Sequence, residues 1–322
     1  MHIVRVFITL ALGFGAAANA AVPLVEVEQA PVAFDFSGRL VPKWTGGALV
    51  VVDHLAPAIT LHAFGRDGRS LQRVPLDIPG GSWSMVGQFA RGHDGTLAVI
   101  GSAYLANGDG GKYIGVIPAG GQSPRIFKPV SFHPEEIAIA SDGVIWIAGE
   151  EMTGETVGQD PDHRVIRRFS PRGSELSALL PRSELKPGGD FHPAEDSALV
   201  TSDDRVGWYS RYAREYIEFA LDGRVLLRAA GVPTGSGERV FGIGLCDDGT
   251  VYAGASFQEG GTGKGKRIEI FQFDRSNSVW TPITLEVDSA ADLRILLVGC
   301  DANHLVTKRG QILRFWRPAD AP

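Results

Sequence analysis

The chain is poor in cysteine, in long apolar runs and in positive charge. Cys246 and Cys300 are the only cysteines among 322 residues, so there is no cysteine-rich framework and no paired-cysteine metal motif. Lys and Arg number 31 against 37 Asp and Glu, a formal charge of −6. No basic stripe is present, which argues against nucleic acid as the main partner. Beyond the first twenty residues no apolar stretch approaches the ~20 residues of a spanning helix, so no membrane span is expected in the mature chain. Also missing are a Gly-x-Ser-x-Gly elbow, a His-Glu-x-x-His helix and a phosphate-binding loop. Gly261-Thr262-Gly263-Lys264-Gly265-Lys266 imitates that loop only superficially, because no strand-to-helix context surrounds it.

Glycine, by contrast, is abundant, at 41 residues, which suits many tight turns and leaves little room for long helices. The N-terminus reads as an export leader. Arg5 supplies a short basic start, Val6 to Ala17 an apolar core, and Ala18-Asn19-Ala20 small residues at the cleavage positions. Cleavage is expected after Ala20, giving a periplasmic or secreted protein of residues 21–322. Losing Arg5 takes the formal charge from −6 to about −7.

Six times between Lys43 and Val306 a short apolar run, a tight turn and a second apolar run recur. The turns are Gly46-Gly47, Asp94-Gly95, Asp142-Gly143, Asp203-Asp204, Asp248-Gly249 and Ala302-Asn303. Their spacing of roughly 45 to 61 residues marks a repeat array, since one such unit cannot bury its own faces. The fullest unit runs Ile137–Ala140, Val144–Ile147, Val165–Phe169 and onward past Pro171-Arg172-Gly173. Third strands such as Ile59–Phe64, Tyr216–Ala220 and Ile268–Phe273 alternate with period two. Asp67-Gly68 and Asp222-Gly223 then supply hairpin turns. Four-stranded antiparallel sheets are implied. The last unit ends at Ile312–Trp316 without a fourth strand, and the alternating segment Leu24–Glu28 is free to complete it.

On these turns and spacings the mature chain resembles the six-bladed β-propeller superfamily, in the neighbourhood of NHL-repeat proteins and the gluconolactonase group. The resemblance implies an all-β ring of six four-stranded antiparallel blades, closed by the N-terminal strand as one domain. It also implies two faces. Asp-Gly turns lie on one, and the loops Ser102–Lys112, Glu150–His163, Arg182–Asp196 and Phe257–Lys266 surround the channel mouth on the other. Lactonase activity of that group would call for a channel-centred metal held by an acid in the first blade, an Asn midway and an Asp late. The first inner strand here, Leu40–Trp44, carries no acid.

The most pointed local signal is a duplicated corner, Phe132-His133-Pro134-Glu135-Glu136 and Phe191-His192-Pro193-Ala194-Glu195-Asp196. Each puts an imidazole and carboxylates at the start of an inner strand. Such groups can contact a ligand, hold a divalent ion or move protons, and a His-Pro corner can equally just fix the entry of the chain. Glu150 and Glu151 after a second strand, and Arg239 and Arg294 opening two later units, would sit around the same mouth. There they would orient a sugar or carboxylate, or form plain ion pairs. Trp83, Trp208, Tyr209, Tyr212 and Tyr216 are either stacking platforms or core. Cys246 and Cys300 occupy matching slots, as a bridge or as two buried thiols. Three functions are compatible: an exported propeller binding a polar small molecule, glycan or peptide on its long-loop face; a metal-dependent hydrolase of the gluconolactonase type; and an envelope scaffold with a protein partner.

Overall fold

The computed structural model describes residues 23–36, 40–56, 58–78, 80–120, 124–153, 156–157, 160–185, 192, 194, 197–233, 239–258, 266–285 and 295–319. The expected leader, Glu195, Asp196 and Arg294 lie outside these residues, as does the side chain of Arg239. Apart from one 3₁₀ turn at Arg182–Glu184, the regular elements among the described residues are all strands.

Strand β1 (Pro23–Pro31) precedes the first unit, which consists of β2 (Lys43–Thr45), β3 (Ala48–Asp53), β4 (Thr60–Phe64) and β5 (Ser70–Pro75). The second unit is β6 (Gly81–Arg91), β7 (Leu97–Leu105), β8 (Gly110–Ile117) and β9 (Arg125–Phe127). The third holds β10 (Phe132–Ile139), β11 (Ile145–Thr153), a two-residue β12 (Thr156–Val157), β13 (Arg164–Phe169) and β14 (Glu175–Pro181). The fourth is β15 (Ser197–Thr201), β16 (Arg205–Ser210), β17 (Glu215–Ala220) and β18 (Val225–Ala230). The fifth is β19 (Arg239–Leu245), β20 (Val251–Gln258), β21 (Lys266–Asp274) and β22 (Val279–Leu285), and the last is β23 (Leu296–Asp301), β24 (His304–Arg309) and β25 (Ile312–Pro318).

The first four units are separate antiparallel sheets in chain order, with β12 added only to β11. Units five and six share an eight-stranded sheet, because β1 pairs antiparallel with β25 and also meets β22 in parallel at Pro23 and Leu24. The N-terminal strand therefore completes the last unit, as its alternation implies. At the Asp-Gly turns, Gly95, Gly143 and Gly249 have φ of +90°, +79° and +85°. The preceding Asp94, Asp142 and Asp248 each accept the N–H two residues on. The motif is local punctuation that ties the chain to itself.

Packing closes the ring. Six apolar clusters each join one neighbouring pair of units, from the first and second round to the sixth and first. Alternate side chains of a second strand feed clusters on opposite sides: Ala48, Val50 and Val52 face the second unit, and Leu49 and Val51 face the sixth. That double burial is why β3 reads as an unbroken apolar run. The architecture is the all-β propeller of four-stranded antiparallel sheets.

Cys246 and Cys300 form a disulfide between the fifth and sixth units, with Cα atoms 5.1 Å apart, inside the span a bridge requires. Close approach of β19 and β23 makes this reachable. A Cβ on Gly244 would stand 2.9 Å from the carbonyl carbon of Gly299, so a side chain there would force the two inner strands apart.

Candidate functional site

The inner strands β2, β6, β10, β15, β19 and β23 enclose a cavity of about 520 Å³ to which all six units contribute. Its wall is divided. Its charged and amide side chains among the described residues, Lys43, Gln88, Glu135 and Glu136, all come from units one to three, beside apolar Leu40, Val41 and Phe89, whereas units four to six supply Ser197, Thr201, Val240, Phe241 and others without a charge. A volume in this range, with an apolar lining and a few convergent polar groups, is what small-molecule sites use.

Four of the six inner strands carry a register shift, between Val86 and Gln88, Pro134 and Glu136, Val240 and Gly242, and Leu297 and Gly299. The extra residues at these shifts are Gly87, Glu135, Phe241 and Val298, which all line the cavity, whereas a second shift in β6, at Ser84, lies away from it. A bulge sets two residues against one on the partner strand and re-aims side chains. Here it lets Glu135 and Glu136, neighbours in sequence, both reach the channel wall.

The polar arc is built across units. Lys43 Nζ donates to Gln88 Oε1 at 2.6 Å and to Glu136 Oε2 at 2.9 Å, so three successive inner strands meet at one ammonium. Charge-assisted bonds of this length are among the stronger polar contacts, and Glu136 is only 6% exposed. Beside it, Lys112 of β8 donates to Glu135 Oε1 at 2.9 Å and to the Pro134 carbonyl at 3.2 Å. His133 Nε2 lies 3.1 Å from that same carboxylate oxygen. Burial pushes the Glu135 carboxyl up, but the His133 bond and the charge and bond of Lys112 together outweigh it, leaving the group below its ordinary value.

Behind this arc the groups are structural. Glu150, opposite His133 in the ladder, is buried and its Oε1 accepts the Ala194 N–H at 2.7 Å. It anchors the connection into unit four. His163 is 5% exposed, with Nε2 3.3 Å from the Gly149 carbonyl and its ring against Phe132. Burial drives its pKa below 6.5, opposed by the Gly149 bond and Glu151 and assisted by Arg167 and Arg182.

Of the sequence-derived candidates, His133, Glu135 and Glu136 thus come together at the channel, and Glu150 turns inward. His192 is half-buried, and no bond or ring contact joins it to His133 among the described residues. Arg239 opens β19 opposite Ser256, its side chain outside the described set. Trp208, Tyr209 and Tyr216 are core, while Tyr212 is exposed. Among the described residues no group of three or more His, Cys, Asp or Glu is arranged to hold a metal ion. Sequence reading missed Lys43, Gln88 and Lys112. The available signal was a polar residue inside an otherwise apolar inner strand, as in Leu40–Trp44 and Val86–Ala90.

No protein-family model matches the chain. No curated protein matches it in sequence either. Solved structures do match. The “Putative exported protein” from Bacteroides fragilis is 10% identical, with 92% of this chain and 96% of that one covered and a TM-score of 0.53. The likeness is one of fold. An inactive variant of virginiamycin B lyase from Staphylococcus aureus, solved with quinupristin, is 14% identical over 91% of this chain and 98% of that one, TM-score 0.48. A structure named “putative gluconolactonase” is also 14% identical, over 91% of this chain and 92% of that one, TM-score 0.44. No helix among the described residues is long and apolar enough to cross a membrane.

Proposed function

We propose that the chain is an exported binding propeller, residues 21–322 forming a single domain after removal of the leader at Ala20, that takes a polar small molecule, glycan or peptide in its central channel. The observation that carries this reading is the divided wall: a hydrogen-bonding arc of Lys43, Gln88, Glu135 and Glu136 facing an arc that carries no charged side chain among the described residues and includes the Phe241 ring. A periplasmic or secreted location agrees with the leader and with the Cys246–Cys300 bridge, since disulfides persist in oxidising compartments. Nucleic acid is not the expected partner, given the net negative charge. The hydrolase alternative has Lys43 in the strand where the lactonase resemblance calls for an acid.

Gly87 provides the test. It lines the cavity, its φ lies outside the left-handed range, and an added Cβ would meet nothing within 4 Å. Gly87→Leu should therefore fill the channel without disturbing the packing. In a thermal-shift screen of the mature protein against sugars, lactones, peptides, amino acids and metals, a ligand of the channel raises the Tm of wild type by mass action and leaves the variant unmoved. Equal shifts in both proteins would place binding elsewhere.

A further inference from the structure

The polar arc carries both signs of charge. Among the described residues Lys43 is paired with Glu136, and Lys112 with Glu135, which His133 also meets. Both pairs also retain unused capacity. An ammonium has three donors, and the contacts of Lys43 and of Lys112 each account for two. Gln88 accepts through Oε1, leaving its amide N–H₂ without a partner among the described residues. Both contacts to Glu135 fall on Oε1, so Oε2 is free to accept.

The wall therefore presents N–H donors from Lys43 and Gln88 beside a carboxylate oxygen of Glu135. An ion of one sign entering here would add net charge to a cavity that is half apolar, and unbalanced charge away from water is costly. A molecule bearing both signs adds none. Across the cavity the lining is chiefly apolar, with Ser197 and Thr201 among it, and Phe241 is a partly exposed ring there, so an apolar body is the expected remainder of that molecule.

We infer that the channel takes a small zwitterion with an apolar body, a free α-amino acid or dipeptide bearing an aliphatic or aromatic side chain; this rests on the channel being the binding site. The carboxylate meets Lys43 Nζ and the Gln88 amide, the ammonium meets Glu135 Oε2, and the side chain lies against Phe241. Glu136 holds Lys43 in place and Lys112 holds Glu135, so neither pair has to break on binding.

The test is titration calorimetry on the mature protein with L-leucine, L-phenylalanine and L-leucyl-L-phenylalanine. Alongside run the single-charge analogues L-phenylalaninamide and 3-phenylpropanoate, and the neutral probes glucose and gluconolactone. At least one zwitterion should bind, with the single-charge analogues weaker by tenfold or more. Lys43→Met and Glu135→Gln should each weaken it at least tenfold, and Gly87→Leu should abolish it while keeping the wild-type melting temperature. Equal binding of a single-charge analogue, or no binding by any zwitterion, overturns the inference. If a neutral probe binds wild type and is lost in Gly87→Leu, the ligand class is wrong and the channel stands. If nothing binds, or binding ignores Gly87→Leu, the channel falls as well.

Discussion

His163 illustrates how a buried side chain at the edge of a site can govern the molecule's response to acid. Its imidazole is kept below its ordinary pKa of 6.5 mainly by burial, so as pH falls the unfolded chain takes up the proton first. Falling pH then favours unfolding, and the stability that neutral His163 represents is lost as pH drops through about 6.5 toward the lower folded-state value. Wild type should unfold at progressively lower urea concentration between about pH 7 and pH 5. His163→Gln can keep the contact to the Gly149 carbonyl but cannot titrate, so it should show a flatter dependence over the same interval. An unchanged slope would assign the acid response to other groups, Glu135 among them, whose depressed pKa acts in the same direction at lower pH.

Among elements, β1 and the disulfide both tie the sixth unit into the ring. Residues of β1 lie opposite β25 from Leu24–Pro318 to Pro31–Ile312, with Leu24 and Ala30 buried. Deleting residues 21–30 strips this edge and uncovers the cluster shared by units five and six. The expected loss is roughly 10 °C or more in Tm, read by circular dichroism. The bridge closes a loop of 54 residues, worth about 4 kcal/mol by chain entropy, so Cys246→Ser with Cys300→Ser should lower stability by up to that amount. A truncated chain that melted like the full mature protein would show that β1 is dispensable for closure.

For the whole molecule, much of the fold was legible and most of the site was not. Turns and alternation are local: Asp94-Gly95 or Asp142-Gly143 carries its own hydrogen bond and its own positive φ, and a free alternating segment at Leu24–Glu28 needs only a missing partner to be assigned. Lys43, Gln88 and Glu136 become one group only when strands separated by 45 and 93 positions lie side by side. The bulges at Gly87, Glu135, Phe241 and Val298 are properties of pairing, invisible in any single strand. The first His-Pro corner sets His133 against Glu135, whereas Glu150, singled out for its place after a second strand, turns its carboxylate inward to hold Ala194. At this scale the leader can be tested directly. Expressed with it in a Gram-negative host, the protein should be recovered from the periplasm with Ala21 as its first residue by N-terminal sequencing. An intact Met1 terminus in the cytoplasmic fraction would contradict export.

The pairing of β1 with β25 also sets an order of events. A chain is made N-terminus first, so β1 is made long before the strand it pairs with, opposite Leu24 at Pro318. Until β25 has been made the first strand lacks its antiparallel partner, and contacts between such distant positions form slowly. A polypeptide cut short before Ile312 would leave the edge of β1 that faces β25 unpaired, so an incomplete chain carries an exposed strand edge at its own beginning.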